Sequence, residues 1–341
     1  MTALVLPLWR TWCLRSGLID EPGHRKIHDR PIPLAGGLAV FSGLCLPVLL
    51  GAGMVFWQLR SQKLGPAVQD TRLLTSTSSQ TNVSEPLVKH RLLLDAATAK
   101  AIAYGLSRRT VQLAAIILGA FGVVCLGLID DKHELRPGLK FAGQTLIASL
   151  VAIAGVRITL FVPNLIFSHL ITILWILIVT NALNFMDNMN GLCAGLGAIG
   201  SWYFGLVAAA QGHYLVAMLA FLTCGALLGF LPYNFPRASV FLGDSGSHLV
   251  GYLLAVLGIL PHFYSAQNPR VLAVLSPLVI LAVPLLDLAW VVVLRWRLKK
   301  PFYLADTNHL SHRLVRRGLS PTLTVLLIWL VAAVVGGLVL I

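Results

Sequence analysis

Residues 321–341, PTLTVLLIWLVAAVVGGLVLI, contain no charged side chain. A helix of ~20 apolar residues matches the hydrocarbon thickness of a bilayer. Inside lipid every backbone N–H and C=O must be bonded within the protein, which restricts spanning segments to helices or closed barrels. Eight further stretches read the same way, at about 34–57, 111–129, 141–160, 165–184, 192–211, 214–231, 246–262 and 271–294. The expectation is an all-α, polytopic membrane bundle of about nine to ten transmembrane helices with functional loops on one face. The whole of 1–341 then forms a single transmembrane domain, with 58–110 as an extramembrane insertion. Composition agrees: the chain is 57% hydrophobic and 11% charged, against about 25% charged for a soluble domain. The opening MTALVLPLWR is apolar but too short to span before Arg10 and Arg15. It reads as the end of a span whose upstream part is missing, or as an interfacial segment.

Charge sets the orientation. If the loop after residue 15 is cytoplasmic, parity also places 130–140, 185–191, 232–245 and 295–320 inside. These loops collect most of the Lys and Arg outside the insertion, as the positive-inside rule requires. The net charge of +13 therefore reads as basic loops beside anionic lipid rather than as a nucleic-acid surface. Residues 58–110 break the pattern, being basic yet outside by parity. Their centre, TSTSSQTNVSEP, reads as a flexible linker, and LLLDAATAKAIAYGL as an interfacial helix. The five cysteines have neither metal-ligand nor disulfide spacing.

The thirteen acids are more informative than the bases, because orientation does not require them. Three lie in the insertion, nine lie in or beside the loops assigned to the cytoplasmic face, and Asp287 lies within a span. Acids gathered at one membrane surface point to a polar site there, and an ionisable group at membrane depth is a functional candidate.

Four constellations share this face. Asp130 and Asp131 end an apolar run in LGLIDDKHELRPGLK, where a helix C-terminus disfavours acids. Adjacent helical residues point about 100° apart, so one could bind a metal while the other handles a proton; a solvated helix end is the plainer reading. In NALNFMDNMNGL, Asn181, Asn184 and Asp187 recur every three residues and Asn190 follows. Amides suit a sugar or a base, and interhelical hydrogen bonding is the alternative. In FLGDSGS, Asp244 sits among small residues at a helix start. Free N–H groups there favour an anion, with a divalent cation bridging acid to phosphate, although Asp244 could simply cap the helix. In PFYLADTNHLSHRL, His309 and His312 share a helical face. Zinc suits paired histidines, but the surrounding oxygen donors suit Mg²⁺ or Mn²⁺, which leaves the imidazoles to contact phosphate or orient acids. A headgroup-facing histidine pair is the plainer account. Finally, Arg25, Lys26 and His28 in DEPGHRKIHDRPIPLAGG suit phosphate or anionic lipid.

These five motifs, in this order across 17–318, resemble the polyprenyl-phosphate N-acetylhexosamine-1-phosphate transferase superfamily. The RKIH and DTNHLSHRL segments look more like its GlcNAc-1-phosphate branch than its phospho-MurNAc-pentapeptide translocase branch. The resemblance implies transfer of a sugar-1-phosphate from a UDP-N-acetylhexosamine to polyprenyl phosphate at the cytoplasmic face of the plasma membrane, with Mg²⁺ (Mn²⁺ as a substitute) and UMP as the second product. It implies Asp130 as a base or positioning group, Asp131 and Asp187 in support of the metal, and Asp244 as principal metal ligand. Asn181, Asn184 and Asn190 would meet the nucleotide sugar, with Phe241 against uracil. Lys140, His309 and His312 would hold phosphates, and a homodimer is a further expectation. The chain departs from the family pattern in an expected truncation of the first span, in the length of the 58–110 insertion, and at three residues. Asn190 stands for a common Asp, Asn188 for a usual Gly and Ser311 for another common His. An amide at 190 keeps hydrogen bonding but loses charge. Rival readings are the peptidoglycan translocase, a lapsed lipid-binding relative, and an ion-coupled transporter built on Asp287.

Overall fold

The structure, a computed structural model, describes residues 1–22, 30–64, 96–159, 162, 164–261, 271–301 and 308–341. Twelve α-helices are present among the described residues, with almost no sheet. They are α1 Thr2–Ser16, α2 Gly36–Leu64, α3 Ala96–His133, α4 Pro137–Ile153, α5 Leu165–Met186, α6 Leu192–Ala210, α7 Tyr214–Asn234, α8 Gly243–Leu257, α9 Ser276–Ile280, α10 Ala282–Arg297, α11 Leu310–Arg316 and α12 Pro321–Gly337. Residues 1–45 and 111–341 form one compact unit and 46–110 another. In the second unit, α2 runs on to Leu64, and 96–106 are helical as the first part of α3 rather than a helix of their own.

All nine apolar stretches contain helix. Among the described residues, five helices are long and apolar enough to cross a membrane: Arg109–His133, Leu165–Met186, Leu192–Ala210, Tyr214–Asn234 and Pro321–Leu340. Gly36–Gly51 and Pro137–Ile153 are shorter apolar helices, so the stretch expected at 141–160 stops helically at Ile153. The stretch expected at 271–294 is broken: Ala273–Ile280 and Ala282–Arg297 meet at a bend of 70°. Proline explains the position of the break. Pro284 has no N–H, so the Ile280 carbonyl lacks its helical partner. The ladder resumes one residue later, with Leu285 N–H donating to Leu281 C=O. The opening segment, expected to be too short to span, is a 15-residue helix ended by Gly17 in the left-handed conformation.

Several starts follow local chemistry. The Asn164 side chain accepts from Phe167 N–H at the start of α5, and Ser320 accepts from Leu323 N–H before Pro321 opens α12. Packing is that of a membrane bundle. Leu118, Leu146, Leu170 and Leu330 are each at least 60% exposed on outer faces, where lipid rather than water is the suitable solvent. The centre is α8, buried at every position from Ser245 to Leu257. Its close crossing with α5 depends on Gly251, where a Cβ would lie 2.5 Å from Thr180 Cα. Small residues at such crossings let membrane helices approach. A two-residue antiparallel pairing, Ile19 with Pro33 and Asp20 with Ile32, holds together the ends of the basic loop.

Candidate active site

The ends of α3 and α5 meet the starts of α4 and α8 in the first unit. Gly127 brings α3 against the start of α8, since a Cβ there would be 2.3 Å from Ser245 Cα. One turn later Asp131 reaches the α8 N-terminus. Its carboxylate accepts from Asp244 N–H at 2.7 Å and Ser245 N–H at 3.1 Å. The positive end of one helix thus compensates an acid at the negative end of another. The same contact corrects the expectation of free anion-binding amides in GDSGS: two of them are already taken by Asp131.

Asp130 points elsewhere, as the 100° offset requires. It accepts from Leu135 N–H at 2.8 Å and pairs with Lys140 Nζ at 2.7 Å. Lys140, in the first turns of α4, also donates to Asp244 Oδ2 at 3.0 Å, so one ammonium bridges acids from two helices. Asp244 lies inside the first turn of α8, and its side chain does not cap that helix. Its other oxygen accepts from Asn184 Nδ2 at 2.6 Å, and Asn184 also donates to Ser247 Oγ at 2.8 Å. Asn181 Nδ2 donates to Gln144 Oε1 at 2.8 Å and to the Leu177 carbonyl. Both asparagines therefore stitch helices together, the alternative open from the sequence. Gln144 and Ser247 were not singled out there. Their signal was spacing, one helical turn beyond Lys140 and Asp244 respectively.

Asp187 follows the last residue of α5 and takes no hydrogen bond on its carboxyl among the described residues. Loss of solvent first, then the negative charges of Asp244 and Asp131, push that carboxyl up to about 8. Asn190 Nδ2 reaches the Pro236 carbonyl at 3.3 Å, tying the turn after α5 to the loop before α8. Phe241 is fixed through its backbone: its N–H donates to Pro33 C=O and its C=O accepts from Gly36 N–H, both at 3.0 Å. The far end of the basic loop is thereby laid along the turn that carries Asp244.

The histidine segment docks on the same end of α5. His309 packs against the Phe185 ring at 5.6 Å, and Ser311 Oγ donates to Asn188 Oδ1 at 2.7 Å. Two departures from the family pattern are thus bonded to each other. The His312 ring lies 6.4 Å from that of His309. Arg25, Lys26 and His28, and with them Asp306, lie outside the described residues.

The oxygen donors suit Mg²⁺. Asp131, Asp187 and Asp244 do not make a closed three-ligand cage among the described residues, and none is needed. Mg²⁺ typically takes one or two carboxylates and completes its shell with water and substrate phosphates. Both Asp131 oxygens are engaged with α8 backbone and both Asp244 oxygens with side chains, so among the described residues the Asp187 carboxyl is the uncommitted one, and Asp244, whose partners are movable side chains rather than a helix end, is the better-suited second ligand. Chemically, the arrangement crowds carboxyl groups near one bridging ammonium, which after burial raises the Asp187 carboxyl, and a cation with its bound phosphates would relieve that crowding.

A profile described as glycosyl transferase family 4 matches residues 113–262. Relatives align along nearly the whole chain. One from Bacillus subtilis, described as a probable undecaprenyl-phosphate N-acetylglucosaminyl 1-phosphate transferase, is 30% identical over 97% of this chain and 79% of its own length. A decaprenyl-phosphate N-acetylglucosaminephosphotransferase from Mycobacterium tuberculosis is 32% identical over 94% and 75%. An undecaprenyl-phosphate alpha-N-acetylglucosaminyl 1-phosphate transferase from Salmonella typhimurium is 25% identical over 98% and 79%.

Proposed function

The chain belongs to glycosyl transferase family 4, and from that premise we propose that it transfers GlcNAc-1-phosphate from UDP-GlcNAc to a polyprenyl phosphate. The protein is a multi-pass membrane transferase whose relatives use polyprenyl-phosphate acceptors. The acceptor's phosphate oxygen attacks the sugar-bearing phosphorus of the donor. The pyrophosphate P–O bond to the uridylyl phosphate breaks, and UMP leaves. Lys and Arg counts favour the cytoplasmic face of the plasma membrane for this centre.

The carrying observation is Lys140 Nζ, 2.7 Å from Asp130 and 3.0 Å from Asp244. An ammonium has three donors. Two are committed to acids and the third is available to a phosphate oxygen. Asp130 orients that ammonium while its own position is set by Leu135 N–H. The acceptor phosphate is already ionised at neutral pH, so Asp130 serves by electrostatics rather than as an obligatory base. Asp131 holds the first turn of α8 and so fixes where the Asp244 carboxylate stands. Mg²⁺ would be held by Asp244 and Asp187 and would supply charge neutralisation to the transferring phosphoryl group.

The test is UMP release by purified protein with undecaprenyl phosphate and Mg²⁺, comparing UDP-GlcNAc with UDP-MurNAc-pentapeptide. Turnover with the first donor is expected. Turnover with the second alone would assign the peptidoglycan branch, and release with neither would end the transferase reading.

A further inference from the structure

Asp287 is a buried acid to which the proposed transfer gives no task. It lies in α10, 5% exposed, among apolar residues, where a carboxyl is costly unless it is bonded. Both of its oxygens are engaged, and by consecutive residues. Oδ2 meets His309 Nδ1 at 2.7 Å, and Oδ1 accepts from Leu310 N–H at 2.6 Å. The two bonds fix both the start of α11 and the rotation of the imidazole. A proton on Nδ1 faces the carboxylate, which leaves Nε2 as the ring nitrogen for any other partner. The Phe185 ring packs edge-on against the imidazole at 5.6 Å, and the buried Arg295 guanidinium lies over Phe185 at 5.2 Å from its centroid. The Ser311 to Asn188 bond ties the next residues to the turn beside Asp187.

We propose that Asp287 is a positioning residue that sets the tautomer and direction of His309 so that Nε2 meets substrate phosphate beside Asp187. The inference rests on the transferase reading and deepens it. It also gives Asp287 a task other than ion coupling. Asp287 touches no reacting atom; its effect passes through His309 and Leu310.

Kinetics of UMP release in four proteins test this: wild type, Asp287→Asn, His309→Ala and the double variant. Asn keeps an oxygen for Leu310 N–H but offers an amide N–H to Nδ1, which enforces the other tautomer. Asp287→Asn is expected to lower kcat about tenfold to hundredfold, the usual effect of losing a carboxylate that orients a functional histidine. The KM for UDP-sugar and the detergent melting temperature stay near wild type. In the His309→Ala background the same change has little further effect, because its route of action is gone. Asp287→Asn at the wild-type rate, or losses that multiply in the double variant, would overturn the assignment while leaving the transferase reading intact. A wild-type protein that releases no UMP from any donor would end both. If Asp287→Asn elutes as aggregate in detergent, Asp287→Glu serves as the second variant, with the same non-additivity expected.

Discussion

Two acid-centred clusters in this molecule differ in how fully their carboxyl groups are partnered. In the first, Asp130 and Asp244 share the Lys140 ammonium, Asp131 is bonded to the start of α8, and Asp187 is raised by burial and then by the charges of Asp244 and Asp131. Around Asp287, one carboxylate meets one imidazole and one backbone N–H, and both of its oxygens are used. The first cluster is electrostatically open and gains by taking in positive charge. The second is closed and holds geometry. On the proposed transferase reading, the crowded acids belong to the reacting centre and the fully bonded carboxylate to its support.

On this contrast, removing divalent cations is expected to have the largest effect. Chelation with EDTA is expected to reduce UMP release to background and Mg²⁺ to restore it, since charge neutralisation of a transferring phosphoryl group is worth several orders of magnitude in rate. Lys140→Met comes next: it leaves Asp130 and Asp244 facing each other without their cation. A loss of about 10²–10³ in kcat is expected, similar to loss of one electrostatic donor in other active sites. Asp131→Asn should cost less. An amide still accepts one of the two α8 N–H bonds but offers no charge to the helix end, so about a tenfold fall in kcat is expected, with a melting temperature lower by a few degrees. Ser311→Ala removes one bond at the closed cluster. About a fivefold effect in steady-state assays is expected, consistent with about 1 kcal/mol for a neutral hydrogen bond. A Ser311→Ala loss larger than that of Lys140→Met would invert the comparison.

Much of this was legible in the sequence, because periodicity and apolar length are local properties. Every apolar stretch contains helix, and the acids of α3 and α8 do converge. The break at Leu281 was missed because Pro284 sits in an otherwise continuous apolar run, and run length says nothing about a missing N–H. The partners of Asn181 and Asn184 were open for a different reason. An amide bonding Gln144 or Asp244 has the same local sequence as an amide awaiting a sugar; only the packing of α4 and α8 against α5 decides between them. Asp131 is the clearest case. Its compensation was expected from a cation, and it comes first from backbone amides more than a hundred residues away. Asp287 was visible as an anomaly, but its partner lies across an inter-helix segment that no periodicity spans.

The central claim is that Asp244, between Lys140 and Asn184, belongs to the reacting centre. UMP release by Asp244→Asn, measured beside wild type with undecaprenyl phosphate, UDP-GlcNAc and Mg²⁺, tests it most directly. The expected result is a loss of at least about a thousandfold, the scale of a lost metal-binding carboxylate, in a protein that still inserts and elutes as a single species. An Asp244→Asn protein that turns over at the wild-type rate would contradict it.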